Sequence, residues 1–176
     1  KGEVKAGRDL IVWTGGGDDV WSTVGLMDVT RNILFRMDRG LDRFVTTEDI
    51  TTETGVIAFE MGDSPATDRG PFADKNARPQ EVVFDKKAII TAGTDLIVSS
   101  NNAGDFRLLA TADAVAGRDV LITTEDGRDL FDFDTTLTAG RNIIVQAGTE
   151  TDAMIVAEGI EATAGAIYID LDIGNE

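Results

Sequence analysis

Chemistry in this chain has few starting materials. Its 176 residues contain neither histidine nor cysteine, which excludes Ser-His-Asp and Cys-His nucleophilic sites, HExxH metal motifs and Cys/His zinc sites. Carboxylates, Lys, Arg and Tyr168 remain. Carboxylate pairs are what glycoside hydrolysis needs, one acting as acid and the other as base or nucleophile at a fixed separation. The densest acidic stretch is Glu125-Asp126-Gly127-Arg128-Asp129-Leu130-Phe131-Asp132-Phe133-Asp134. With Phe131 and Phe133 turned to a core, period-two alternation puts Asp132 and Asp134 on the outer face. Two outward carboxylates can bind Ca²⁺ or act as acid and base, but a solvated face is the ordinary reading. No catalytic, cofactor-binding or metal residue is assigned, and no cofactor is expected.

Three other patterns carry charge. Arg8, Arg31, Arg118 and Arg141 are each followed by Asp or Asn. They can form a strip for an acidic glycan, but mutual neutralisation of corner charges is the simpler reading for a chain of net charge −16. Gly15-Gly16-Gly17-Asp18-Asp19-Val20 is similar to the Gly/Asp calcium nonapeptide, but that motif must recur every nine residues and does not, so a turn is expected. Thr-Thr-Glu-Asp occurs at Thr46 and Thr123, at different distances from the repeats described next, and is read as coincidence.

The elements that hold these residues repeat. AGRDLIV at Ala6 returns as TRNILF at Thr30, TGVIAF at Thr54, AGTDLIV at Ala92, AGRDVLI at Ala116 and AGRNIIV at Ala139, with a weaker AGAIYI at Ala164. Taking the first apolar residue of each as an anchor gives Leu10, Ile33, Val56, Leu96, Val120, Ile143 and Ile167. All the spacings are 23 or 24 except one of 40, which is one period plus about 17 inserted residues. Each unit holds short β-branched runs bounded by Gly, Asp and Asn, which is strand and turn chemistry with no room for a helix. Three short strands and three corners make one coil of a parallel β-helix, and successive coils stack about 4.8 Å apart.

The expected fold is therefore all-β: a right-handed parallel β-helical solenoid of about seven coils of 23–24 residues with one inserted loop, roughly 34 Å long. Stacking turns sequence positions into columns. The anchors, and the positions two later (Val12, Phe35, Ala58, Val98, Ile122, Val145, Ile169), are apolar and expected to point inward. The positions just before the anchors (Asp9, Asn32, Gly55, Asp95, Asp119, Asn142, Ala166) and three before them (Gly7, Thr30, Glu53, Gly93, Gly117, Gly140, Ala164) are expected at corners. The chain reads as one segment, 1–176, with an insertion over 62–80 that holds all three prolines, Pro65, Pro71 and Pro79. A loop projecting from a regular rod is where recognition can reside.

With 32 acidic against 16 basic residues, the chain repels nucleic acid and anionic membranes, and neither is expected as a partner. It has no apolar run long enough for a membrane-spanning helix.

The tandem AGRDLIV, AGTDLIV, AGRDVLI and AGRNIIV phrases resemble the repeats of filamentous-haemagglutinin-type large exoproteins, the two-partner and autotransporter adhesins with long β-helical stalks. The resemblance covers nearly the whole chain outside the insertion. It implies export to the bacterial cell surface or beyond, a structural or adhesive and non-enzymatic role, and no inherited catalytic residue. Its implied partners are a host or cell-surface glycan or protein. Neither end reads as a cap, so the chain is expected to be a segment of a longer polypeptide or a subunit that stacks end to end into a filament, with neighbouring coils or subunits as partners. The alternative is a polysaccharide-active β-helix, a glycoside hydrolase or lyase using surface carboxylates. It requires three or more carboxylates and aromatics converging in a groove beside the insertion.

Overall fold

The computed structural model describes residues 2–62, 80–85, 88–101 and 104–171. Nearly the whole insertion, 63–79, lies outside the described residues, and with it the recognition role considered for that loop.

The first coil is β1 (Glu3–Ala6), β2 (Leu10–Trp13) and β3 (Val20–Thr23), and the second is β4 (Leu26–Val29), β5 (Ile33–Met37) and β6 (Arg43–Thr46). The third contains β7 (Ile50–Thr52), β8 (Ile57–Met61) and β9 (Gln80–Phe84), with the insertion between the last two. The fourth runs through β10 (Ile90–Ala92), β11 (Leu96–Ser100) and β12 (Phe106–Ala110), and the fifth through β13 (Ala114–Ala116), β14 (Asp119–Thr124) and β15 (Leu130–Phe133). The sixth is β16 (Thr136–Ala139), β17 (Asn142–Gln146) and β18 (Ala153–Val156), and a seventh contributes β19 (Gly159–Ala162) and β20 (Ile167–Asp170). There are thus six complete coils and a two-strand seventh, slightly fewer than the seven expected.

Every strand pairs in parallel with its counterparts one coil away, giving sheets of seven, seven and six strands. The first sheet begins with β1, the second with β2 and the third with β3. Short β-branched runs suit this because each strand inside a sheet has its backbone bonded on both sides by other coils, while alternate side chains fill the interior. No helix occurs among the described residues.

The register corrects one coil of the sequence reading. Ile33 pairs with Ile57, not Val56, and Phe35 pairs with Phe59, not Ala58. Both inward columns remain apolar, and Phe59 is fully buried where Ala was expected. The corner place before the anchor is therefore Val56, and Gly55 sits one step earlier. Gly55 is the residue by which this corner exceeds its neighbours: a Cβ there would stand 1.8 Å from the Arg31 carbonyl oxygen. The seventh coil is enlarged in the same way at Gly165, where a Cβ would meet the Arg141 carbonyl at 2.2 Å. Thr163, rather than Ala164, accordingly takes the backbone bond to Ala139 that Gly140 makes to Ala116.

The core is differentiated along its length. In the second and third coils Phe35 stacks on Phe59 with centroids 5.3 Å apart and planes 6° from parallel, and Phe44 sits against both at 4.5 and 4.6 Å. Phe84 and Trp21 extend the cluster to either side. Such contacts contribute about 0.5–1.5 kcal/mol each beyond area burial. The first sheet carries one buried column of small residues, Ala92, Ala116 and Ala139, beside larger inward residues such as Ile50, Ile90 and Leu137.

Candidate functional site

Two of the three corners contain aspartate columns. At the corner between the first and second sheets, each Asp or Asn lies beneath its counterpart in the next coil. Asp119 Oδ1 accepts the Asn142 backbone N–H at 3.1 Å and its side-chain amide at 2.9 Å, and Asp95 Oδ1 accepts the Asp119 N–H at 3.2 Å. Asn32 is a relay: its amide donates to Asp9 at 2.8 Å and its Oδ1 accepts the Val56 N–H at 3.1 Å. Asn142 repeats this between Asp119 and Ala166.

The arginines lie across this column, each on the aspartate of the coil before. Arg31 reaches Asp9 at 2.5 Å. Arg118 forks onto Asp95, with Nε 2.8 Å from Oδ1 and a second contact from Nη2 to Oδ2. Arg141 does the same to Asp119, its Nε at 2.9 Å. The Arg141 guanidinium holds the Asp119 carboxyl down at about 2, helped by Asn142, and Arg31 lowers Asp9. The same contacts raise Arg31, Arg118 and Arg141. The expected charge ladder is present, and Arg31, Arg118 and Arg141 are engaged with aspartates of the chain itself.

The second column, at the corner between the second and third sheets, was not anticipated. Register stacks Asp19, Asp42, Gln80, Phe106, Asp129 and Asp152, all on the inner side. Asp42 is 0 % and Asp129 2 % exposed. Here the bonding direction reverses, each carboxylate accepting from the coil before it. Asp42 takes the Asp19 N–H at 2.9 Å, Asp129 that of Phe106 at 3.0 Å and Asp152 that of Asp129 at 2.9 Å. Gln80 substitutes neutrally, donating to the carbonyls of Gly40 and Gly62 at 2.9 and 2.8 Å. Burial pushes Asp42 and Asp129 up to about 6, and neighbouring carboxylates add to it. The sequence signal was available: Asp19, Asp42, Asp129 and Asp152 each lie nine residues after Leu10, Ile33, Val120 and Ile143.

The carboxylates first considered for chemistry lie apart from both columns. Phe131 and Phe133 are buried, as expected, and Asp132 faces outward in β15. Asp134 lies one residue beyond the strand, in the corner leading to β16. Gly15, with φ of 82°, and Gly17, with φ of 123°, form the expected turn between β2 and β3. Tyr168 donates to Asp170 at 2.9 Å, and that carboxylate raises its phenol. Thr46 ends β6 in the third sheet while Thr123 lies in β14 of the second, so the Thr-Thr-Glu-Asp copies occupy different places.

A cleft of about 430 Å³ opens beside the insertion, lined chiefly by Arg36, Asp38, Arg39, Glu60, Met61 and Asn101. Arg36 lies 3.3 Å from Glu60 and 4.0 Å from Asp38, and Trp13 donates to Asp38 at 2.8 Å. Two carboxylates converge here among the described residues, not three, and both lie beside one guanidinium. No group of three acidic side chains is placed to hold a metal ion among the described residues.

The chain matches none of the protein-family models, curated proteins or solved structures with which it was compared.

Proposed function

We propose that this β-solenoid is a non-enzymatic structural or adhesive stalk of a secreted or bacterial cell-surface protein. The observation that carries the reading is the destination of its charged side chains. In both aspartate columns they bond one coil to the next along the rod axis, and among the described residues the cleft beside the insertion brings together two carboxylates, not the three that polysaccharide chemistry was expected to bring. The repeated AG-x-[DN]-apolar phrases, similar to those of filamentous-haemagglutinin-type adhesins, support the same reading. On it the partners are neighbouring coils or subunits along the axis, and a host or cell-surface glycan or protein.

The alternative reading, a glycoside hydrolase or lyase, rests on Asp38 and Glu60. The test is incubation with a panel of acidic and neutral polysaccharides, reading reducing ends and unsaturated products, with electron microscopy of the native material in parallel. The stalk reading expects a rod and no released product. Product release that disappears in Glu60→Gln or Asp38→Asn would overturn it.

A further inference from the structure

The second sheet is apolar on both of its faces. Its two inward columns fill the core, and between them runs an outward one. Leu34 pairs with Ala58, Ala58 with Ile97, Ile97 with Leu121 and Leu121 with Ile144, with Ile11 before them and Tyr168 after. Strands of this sheet are therefore continuous apolar runs, such as Leu96-Ile97-Val98 and Ile143-Ile144-Val145, the pattern of a parallel sheet covered on both sides. The other two sheets differ. The outward column of the first contains Asp28, Thr51, Thr91 and Thr138. In the third, Asp132 interrupts the outward column, and Arg43, Glu81 and Arg107 run beside it.

The charges that border the apolar column are matched. Arg118 and Arg141 lie on Asp95 and Asp119 along one border, and Arg36 lies on Glu60 along the other. Ser99, Thr123 and Gln146 continue that second border without charge, and it ends at Asp170, which accepts from Tyr168. Two copies of a chain with net charge −16 repel each other, and here they can meet without setting a row of like charges face to face. A second copy also brings the matching period. Side chains one coil apart, about 4.8 Å, seat between side chains of the same spacing when two sheets pack about 10 Å apart.

We propose that the outward apolar column of the second sheet is covered by the same column of a second copy, so that two rods pair side by side. Seven strands spaced about 4.8 Å and about 17 Å long give a face of roughly 500 Å² per copy. That is below the roughly 800 Å² per partner of a standard interface, so pairing of this chain is expected to be weak, micromolar or less tight. The pairing does not depend on the stalk reading, which polysaccharide cleavage tests separately.

The test is sedimentation equilibrium of the whole chain over a concentration series up to about 1 mM, where an interface of this size populates a dimer. Leu121→Lys, in the middle of the column, is expected to raise the dissociation constant at least about tenfold, because it sets a charge against apolar side chains. Ile97→Thr, which keeps a β-branched residue in the strand, should weaken the dimer in the same direction. Val115→Lys, on the outward face of the first sheet, should leave it unchanged. A chain that stays monomeric throughout, or a dimer indifferent to both column substitutions, would overturn the proposal. Because the chain has no cysteine, Ile97→Cys reports on the face directly. Its reaction with a maleimide should slow as protein concentration rises, while that of Val115→Cys should not. A thiol at position 97 already protected in the monomer would place another segment of the chain over the column, and one equally reactive at every concentration would leave the column without a second copy. Either result would refute the pairing.

Discussion

The corner joining the first and second sheets and the corner joining the second and third both use aspartate side chains to bond one coil's carboxylate to another coil's backbone. At the first, Asp119 is partly exposed, accepts from the coil above and has Arg141 across it, so its carboxyl is held down at about 2. At the second, Asp129 is 2 % exposed, accepts from the coil below and has carboxylates rather than a cation nearby, so its carboxyl rises to about 6. One residue type performs the same geometric task in two electrostatic settings. The lesson is that the backbone N–H each carboxylate accepts does not by itself set its pKa: the hydrogen bond from the Arg141 guanidinium lowers Asp119, whereas burial raises Asp129 despite the bond from Phe106.

The comparison can be broken most sharply at the glycine that the first corner requires. Gly55→Ala drives a Cβ into the Arg31 carbonyl and the Asn32 side chain, and overpacking of this kind costs about 1–3 kcal/mol. Thermal unfolding should show a midpoint lower by roughly 3–10 °C, whereas Gly7→Ala, where nothing lies within 4 Å of the added atom, should be nearly silent.

The second corner is next in size and opposite in sign. Asp42→Asn or Asp129→Asn keeps the acceptor oxygen and removes the buried charge, so each should stabilise the protein at pH 7.5 by on the order of 1–2 kcal/mol. Because the folded pKa values of Asp42 and Asp129 stand near 6, above the ordinary 3.8, the folded state binds more protons than the unfolded chain between those values. Stability should therefore rise as pH falls from 7.5 toward 4. Asp119, lowered to about 2, acts in reverse: its contribution is present above pH 3.8 and is lost as pH falls toward 2. Melting midpoints across pH should show a maximum in the mildly acidic range, and Asp42→Asn with Asp129→Asn should flatten only its neutral limb.

Smaller still is the arginine ladder. Arg141→Ala should lower the midpoint by no more than a few degrees, with the difference fading in 1 M salt, since the pair is exposed and screened. Smallest is Asp132→Asn, on an outward face and in neither column, which should move stability by less than about 0.5 kcal/mol by chemical denaturation.

How much of this was legible in the sequence depends on what each residue's identity constrains. The repeat and both inward columns could be read directly because stacking puts similar side chains at one place in every coil. The third coil slipped by one because Val56 and Ile57 are both β-branched and apolar, so hydropathy cannot choose between them. Gly55 decides it, through a contact with the Asn32 side chain one coil away. The buried aspartates recur nine residues after four anchors, yet the insertion breaks the recurrence by bringing in Gln80, and in the fourth coil Asp105 also lies nine residues after Leu96 while the register puts Phe106 in the buried slot. Asp also ordinarily signals solvent, so composition alone points the wrong way. Arg31, Arg118 and Arg141 could be aligned from sequence, but that each lies on the aspartate of the coil before it required the register.

The measurement that tests the two-column account most directly is a side-chain carboxyl NMR titration of the intact protein, with Asp42, Asp129 and Asp119 assigned. Midpoints near 6 for the two buried groups and near 2 for Asp119 are expected. Midpoints for all three close to the ordinary 3.8 would show that the two corners present the same electrostatic environment and would contradict the account.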